Sequence, residues 1–111
     1  MTQPRDEERI AHMVEACEEG LVFTAGRVRA DLDDDRVLQL ALCKLIENVG
    51  EAAKAVTPAW RSAHPDVEWS SAARMRDRIV HQYFLIDLDI VWATVTEDFP
   101  VLLSALRSPH S

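Results

Sequence analysis

Three arginines, an aspartate, a histidine and a tyrosine fall within the ten residues Arg74-Met-Arg-Asp-Arg-Ile-Val-His-Gln-Tyr83. Arg76, His81 and Tyr83 spell R-x4-H-x-Y. A histidine titrates near neutrality and can act as general acid or base at physiological pH. An arginine offers a planar fork that matches phosphate oxygens. The two together suit a phosphodiester or a nucleotide. The surrounding pattern reads as helix, and at about 100° per residue Arg76 and Tyr83, seven apart, share nearly one stripe. His81 lies roughly 140° around from Arg76, so one straight helix cannot aim both at one small target. A symmetric dimer that pools two copies of the segment solves that geometry. Asp77 stands four residues before His81, the spacing at which helix side chains meet, and could hold one imidazole nitrogen. Arg74 and Arg78 complete the densest basic cluster and are candidates for substrate binding. Each residue also has a purely structural reading. Arg76 shares a face with Ala72, Met75, Ile79, Val80 and Tyr83, from which it could snorkel or make an ion pair, and His81 could be a satisfied core histidine.

The elements that must position this segment are helical. Ile10, Met13, Val14, Cys17, Leu21 and Val22 form an i, i+3, i+4, i+7 stripe within residues 5–25, which predicts a first amphipathic helix ending at Gly26. A second is predicted from about Arg36 to Val56, stopped by Thr57-Pro58 and interrupted by Gly50, for which close approach of a neighbouring helix is the expected reason. Glu51 follows Gly50 and is either solvated or within reach of the basic cluster. A third helix is expected to start near Ser70 or Ser71 and to carry the arginine–histidine segment. Asp87 should cap a fourth, with Leu88, Val91, Trp92, Val95, Phe99, Leu102 and Leu103 as its stripe and a kink at Pro100. Residues 57–69 form the one long connection, expected to be packed and to have room for a short extra helix. The result is a single all-α domain over residues 1–111, an up-and-down four-helix bundle with frayed termini.

Composition narrows the chemistry. A chain of 111 residues with 48% hydrophobic content can bury a core without disulfide or metal staples. Cys17 and Cys43 sit in apolar helical patterns and read as buried reduced thiols. Asp31, Asp33 and Asp35 alternate but lack the glycine and terminal glutamate of a calcium loop, so helix capping is the better reading. His12, His64 and His110 have no short-range partner that would make a metal site. No apolar run approaches the roughly 20 residues of a membrane span, and no signal peptide is legible at the start, so a cytoplasmic protein is expected. The net charge of −7 opposes broad nucleic-acid binding. Any RNA contact is therefore expected to be local, at the arginine cluster.

Three blocks in order carry a family resemblance. Ile46 to Ala53, Ile-Glu-Asn-Val-Gly-Glu-Ala-Ala, resembles an I-G-E-A-A segment; His64-Pro65 through Trp69 resembles an H-P-x-x-x-W loop; and Arg76 through Trp92 resembles the signature block of HepT-type toxins of the HEPN superfamily. Many members carry asparagine after the motif arginine, where this chain has Asp77, a variant that changes local charge. The resemblance implies a homodimeric helical bundle with metal-independent endoribonuclease activity and no cofactor. It implies that His81 is the acid/base residue, that Arg76 binds the scissile phosphate, and that Asp77 orients the pair. Tyr83 resembles the tyrosine that an MntA-type minimal nucleotidyltransferase, the antitoxin, modifies with AMP. The runner-up is a non-catalytic nucleotide-binding accessory subunit of a nucleotidyltransferase; a third reading is a dimeric helical scaffold.

Overall fold

The computed structural model describes residues 4–82 and 85–108, with the backbone alone for Pro4 and for Val80–Gln82. Four helical rods make up the bundle. The first is α1, Pro4–Thr24. It ends before Gly26, whose φ of 74° is the left-handed conformation that glycine adopts without a Cβ clash. A turn of 3₁₀ helix, Arg29–Leu32, leads to α2, Arg36–Ala55. The carboxylate of Asp35 caps α2 by accepting from the Leu38 amide at 2.9 Å. That bond, with the nearby Arg27 guanidinium, holds the Asp35 carboxyl below its ordinary range. The alternating aspartates are thus capping and ion-pairing groups, and no group of three potential metal ligands exists among the described residues.

Rods α1 and α2 run antiparallel. Asp6 at the start of α1 meets Thr57 just past the end of α2, while Phe23 and Arg27 lie beside Asp35 and Val37. The buried Asp6 carboxylate accepts from the Thr57 amide at 3.0 Å and from its hydroxyl at 2.7 Å.

The long connection is packed and contains the short helix α3, Pro58–Ala63. Trp60 stacks on His64 with ring centroids 3.4 Å apart and meets Trp69 edge-on at 5.9 Å. His64 donates from Nδ1 to the Trp60 carbonyl at 2.8 Å, and its own carbonyl accepts from Trp69 Nε1 at 3.0 Å. Arg61 reaches back to the Ala53 and Lys54 carbonyls at 2.8 and 3.0 Å, satisfying the open end of α2. His64 is a structural turn residue.

The third rod departs from the single helix expected. It consists of α4, Trp69–Ala73, and α5, Met75–Ile79, separated at Arg74, where φ is −104° and ψ is 9°. Two short strands follow, β1, Val80–Gln82, and β2, Leu85–Ile86, paired antiparallel with an irregular register. The β-branched Ile79, Val80 and Ile86 favour extended backbone over helix. The amide of Asp87 takes the Ile79 carbonyl at 2.8 Å, closing the ribbon.

The fourth rod opens with α6, Leu88–Ala93, capped by Asp87 as expected, through the Ile90 amide at 3.1 Å. A π-helical stretch, Thr94–Asp98, then passes into α7, Phe99–Arg107. Pro100 has no amide proton and its ring collides with the preceding turn of an ordinary α-helix. The wider π turn, in which Phe99 bonds back to the Thr94 carbonyl, is how this rod accommodates the expected kink site. The tail residues 109–111 lie outside the described residues.

The core is continuous, with Met13, Leu32, Leu42, Ile46, Ile79, Val91, Val95 and Phe99 fully buried. Two glycines lie where helices meet in it. At Gly20, an added Cβ would sit 2.8 Å from the Phe99 ring and 3.0 Å from Val95. At Gly50 it would sit 3.6 Å from the carbonyl oxygens of Ala72 and Ala73, an ordinary contact. A neighbouring element does pass at Gly50, the α4–α5 junction, but no closer than an alanine there would allow, so close approach does not explain the glycine.

Alanine at these two glycines should move stability in opposite directions. Gly20→Ala gains up to about 1 kcal/mol of helix propensity but strains a packed contact by about 1–3 kcal/mol, so its melting temperature should fall. Gly50→Ala meets no clash and should be up to about 1 kcal/mol more stable in the same thermal melts. Removing Asp6 leaves the half-buried Thr57 amide and hydroxyl without their acceptor, so Asp6→Ala should cost about 1 kcal/mol, read as a lower urea midpoint at unchanged slope. Because the folded pKa of Asp35 is depressed, its contribution is fully present above the ordinary carboxylate pKa and is lost as pH falls through that range. Asp35→Asn should flatten that part of a stability-against-pH curve.

Candidate active site

One stripe of the third rod is buried and the rest faces water. Ala72, Met75 and Ile79 point into the core, whereas Arg74, Arg76, Asp77 and Arg78 are exposed. This corrects the placement of Arg76 against apolar surroundings. The buried stripe is narrow: Ala72, Met75 and Ile79 fill it at i, i+3 and i+7, and Arg76 lies at its edge, where its side chain reaches water. Among the described residues neither Arg74 nor Arg76 has an ion-pair partner, so the ion-pair reading of Arg76 is not what the fold presents.

A second correction concerns Asp77 and His81. Since α5 ends at Ile79 and the backbone of His81 belongs to β1, the two are not one helical turn apart, and the 140° divergence of Arg76 and His81 on one helix no longer describes their relation. The His81 side chain and the whole of Tyr83 lie outside the described residues. What the fold does show is that the exposed face of α5 leads directly into the strand carrying His81.

The basic cluster is divided. Ser71, Arg74, Asp77 and Arg78 line one shallow depression of about 260 Å³, and Arg76 is not part of its lining. Arg78 Nη2 lies 3.6 Å from Asp98 Oδ2, with both side chains 45% exposed. Sequence reading treated the arginines as one group and did not single out Ser71 or Asp98 as partners; Asp98 is distant in sequence and only the packing of the fourth rod brings it there.

Glu51 lies elsewhere. It lines a groove of about 570 Å³ between α1 and α2 with Arg9, His12, Glu15, Glu19 and Asn48. That groove is the larger concavity, but its three glutamates give it the wrong sign for a polyanion. The thiols offer no nucleophile: burial pushes Cys17 up to about 12 and raises Cys43 as well. No helix among the described residues is long and apolar enough to cross a membrane.

The chain matches the family model described as Ribonuclease HepT-like over residues 13–108. It is 38% identical over 95 residues to "Probable ribonuclease HepT" of Thermococcus cleftensis, covering 86% of this chain and 84% of that protein. It is 32% identical over 93 residues to "Putative RNase TTE0752" of Caldanaerobacter subterraneus subsp. tengcongensis, covering 84% and 83%. No solved structure matches it significantly. A match that takes in α2, the Trp60–Trp69 connection and the whole arginine–histidine segment establishes that the chain belongs to the HepT-like ribonuclease family.

Proposed function

We propose that this protein is a metal-independent endoribonuclease that acts as the toxin of a toxin–antitoxin pair. The observation that carries the reading is Arg76, an exposed guanidinium without an ion-pair partner among the described residues, placed on the helix that runs into the strand of His81. Arg5, Arg9 and Arg36 are also without ion pairs among those residues, so it is the place of Arg76, in the densest arginine cluster and just before the strand of His81, that is consistent with an anionic ligand. The names of the relatives supply the ligand class, RNA.

In this reading Arg76 holds the scissile phosphate and offsets the charge that develops on its oxygens. His81 takes the proton from the ribose 2′-hydroxyl, whose oxygen attacks phosphorus, or delivers a proton to the departing 5′-oxygen. The products are a cyclic phosphate and a free 5′-hydroxyl. One histidine serves one of these proton transfers at a time, and a homodimer supplies a second copy across the cleft. Asp77 lies on the side of α5 that faces Arg74 and Arg78, so it tunes the charge beside the pair rather than orienting it. Tyr83, two residues past His81, is the acceptor of AMP from an MntA-type nucleotidyltransferase antitoxin, and the added phosphate would repel RNA where cleavage occurs.

Incubation of the purified protein with total transfer RNA and a chelator, beside Arg76→Ala and His81→Ala, tests the reading. Native protein should leave cyclic-phosphate or 3′-phosphate ends, and loss of His81 should slow cleavage by about 10²- to 10⁴-fold. Equal cleavage in all three proteins, or none in protein shown by mass spectrometry to lack AMP on Tyr83, would overturn it and leave the nucleotide-binding accessory subunit as the reading to pursue.

A further inference from the structure

The three arginines cannot serve one phosphate. Arg74 and Arg78 are each two residues from Arg76, about 200° around a helix, and only the first two line the depression with Ser71. The backbone explains why those two converge. The Arg74 carbonyl accepts from the amides of Asp77 and Arg78 at 3.0 and 3.3 Å, and the Arg74 amide donates to Ser71 at 3.2 Å. The turn is thus maintained through the break, and Ser71, Arg74 and Arg78 stack on one side of it at the i, i+3 and i+7 positions.

We propose that Ser71, Arg74 and Arg78 form a second phosphate subsite, which holds a phosphodiester of the RNA strand flanking the one bound by Arg76. This rests on the ribonuclease reading for its ligand. Two guanidinium groups and the Asp77 carboxylate leave one positive charge in the depression, which suits a single phosphodiester monoanion. The Ser71 hydroxyl adds a neutral donor. Asp98 occupies Arg78 when no strand is bound. At 3.6 Å between half-exposed groups, that pair is weak enough for a phosphate to displace it. The arrangement explains how a protein of charge −7 can engage a polyanion: a short run of phosphates is held at discrete points on either side of α5, while the acidic remainder of the surface excludes longer contact.

The test is fluorescence anisotropy of a fluorescein-labelled single-stranded RNA oligonucleotide with the full chain carrying His81→Ala, so that cleavage does not intervene. On that background, Arg74→Ala and Arg78→Ala should each weaken binding roughly threefold to tenfold at low salt. Each should reduce the slope of log affinity against log salt by roughly 0.7. Asp98→Asn should act in the opposite direction and tighten binding, which a variant that merely damaged the fold would not do. Affinity and salt slope unchanged in both arginine variants, or no RNA binding by the parent, would overturn the subsite. If binding depends on Arg74 and Arg78 but the native chain does not cleave, the ribonuclease reading falls and the subsite stands. If the native chain cleaves but both arginine variants match it in KM and salt slope, the subsite alone falls.

Discussion

Burial of Ala72, Met75 and Ile79 against α2 is the constraint on which the candidate site depends. The carbonyls of Ala72 and Ala73 pack over Gly50 at a distance that a Cβ would meet as ordinary contact, next to the break at Arg74. That burial, carried through the break, sets the rotation of the rod. Met75 and Ile79 enter the core, and the charged residues between and before them are turned to solvent. Arg76, four residues on from Ala72, stands at the edge of that stripe and reaches water.

The surrounding elements hold α2 and the third rod in that relation from both ends. At one end, Asp6 ties the start of α1 to Thr57, Arg61 caps the last carbonyls of α2, and the Trp60–His64–Trp69 cluster fixes where α4 begins. At the other, Asp87 closes the ribbon with its amide and caps α6 with its carboxylate. Arg29, bonded to Asp89 at 2.7 Å, joins the 3₁₀ turn to the fourth rod. Polar groups therefore set the ends of the rods, while apolar burial supplies the driving force between them. The site lies between these two sets of anchors, on the rod with the shortest helices.

The charge of the molecule is distributed to the same effect. Carboxylates line the groove between α1 and α2 and are engaged with arginines around the 3₁₀ turn. The guanidinium groups of Arg74 and Arg76 are left without ion pairs among the described residues, and that of Arg78 is held only loosely. Arg5, Arg9 and Arg36 are also without ion pairs among those residues, but only residues 74–78 group three arginines in five positions, and on an acidic surface such a cluster favours short, localised contact with an anion over long nonspecific tracking.

Much of the fold was legible in the sequence because it follows from local physics. The 3.6-residue stripes defined α1, α2 and the last rod; Gly26 and Pro58 marked where helices end; Asp35 and Asp87 acted as the caps their positions suggested. The types of chemistry were legible too, since an arginine and a histidine at this spacing, with the blocks around them, point to a phosphodiester. What the sequence by itself could not determine was the direction in which the motif side chains face. Periodicity carried Arg76 onto the apolar face because a single helix was the simplest continuation of Ser70 to Tyr83. Among the described side chains of that segment only Ala72, Met75 and Ile79 are taken into the core, and the extended preference of Val80 with the pairing of β1 and β2 ends the helix before His81. The same holds for Asp98 beside Arg78, and for Glu51 beside His12 rather than the arginines. Those neighbours come from different rods, and only packing of the rods against one another brings them together.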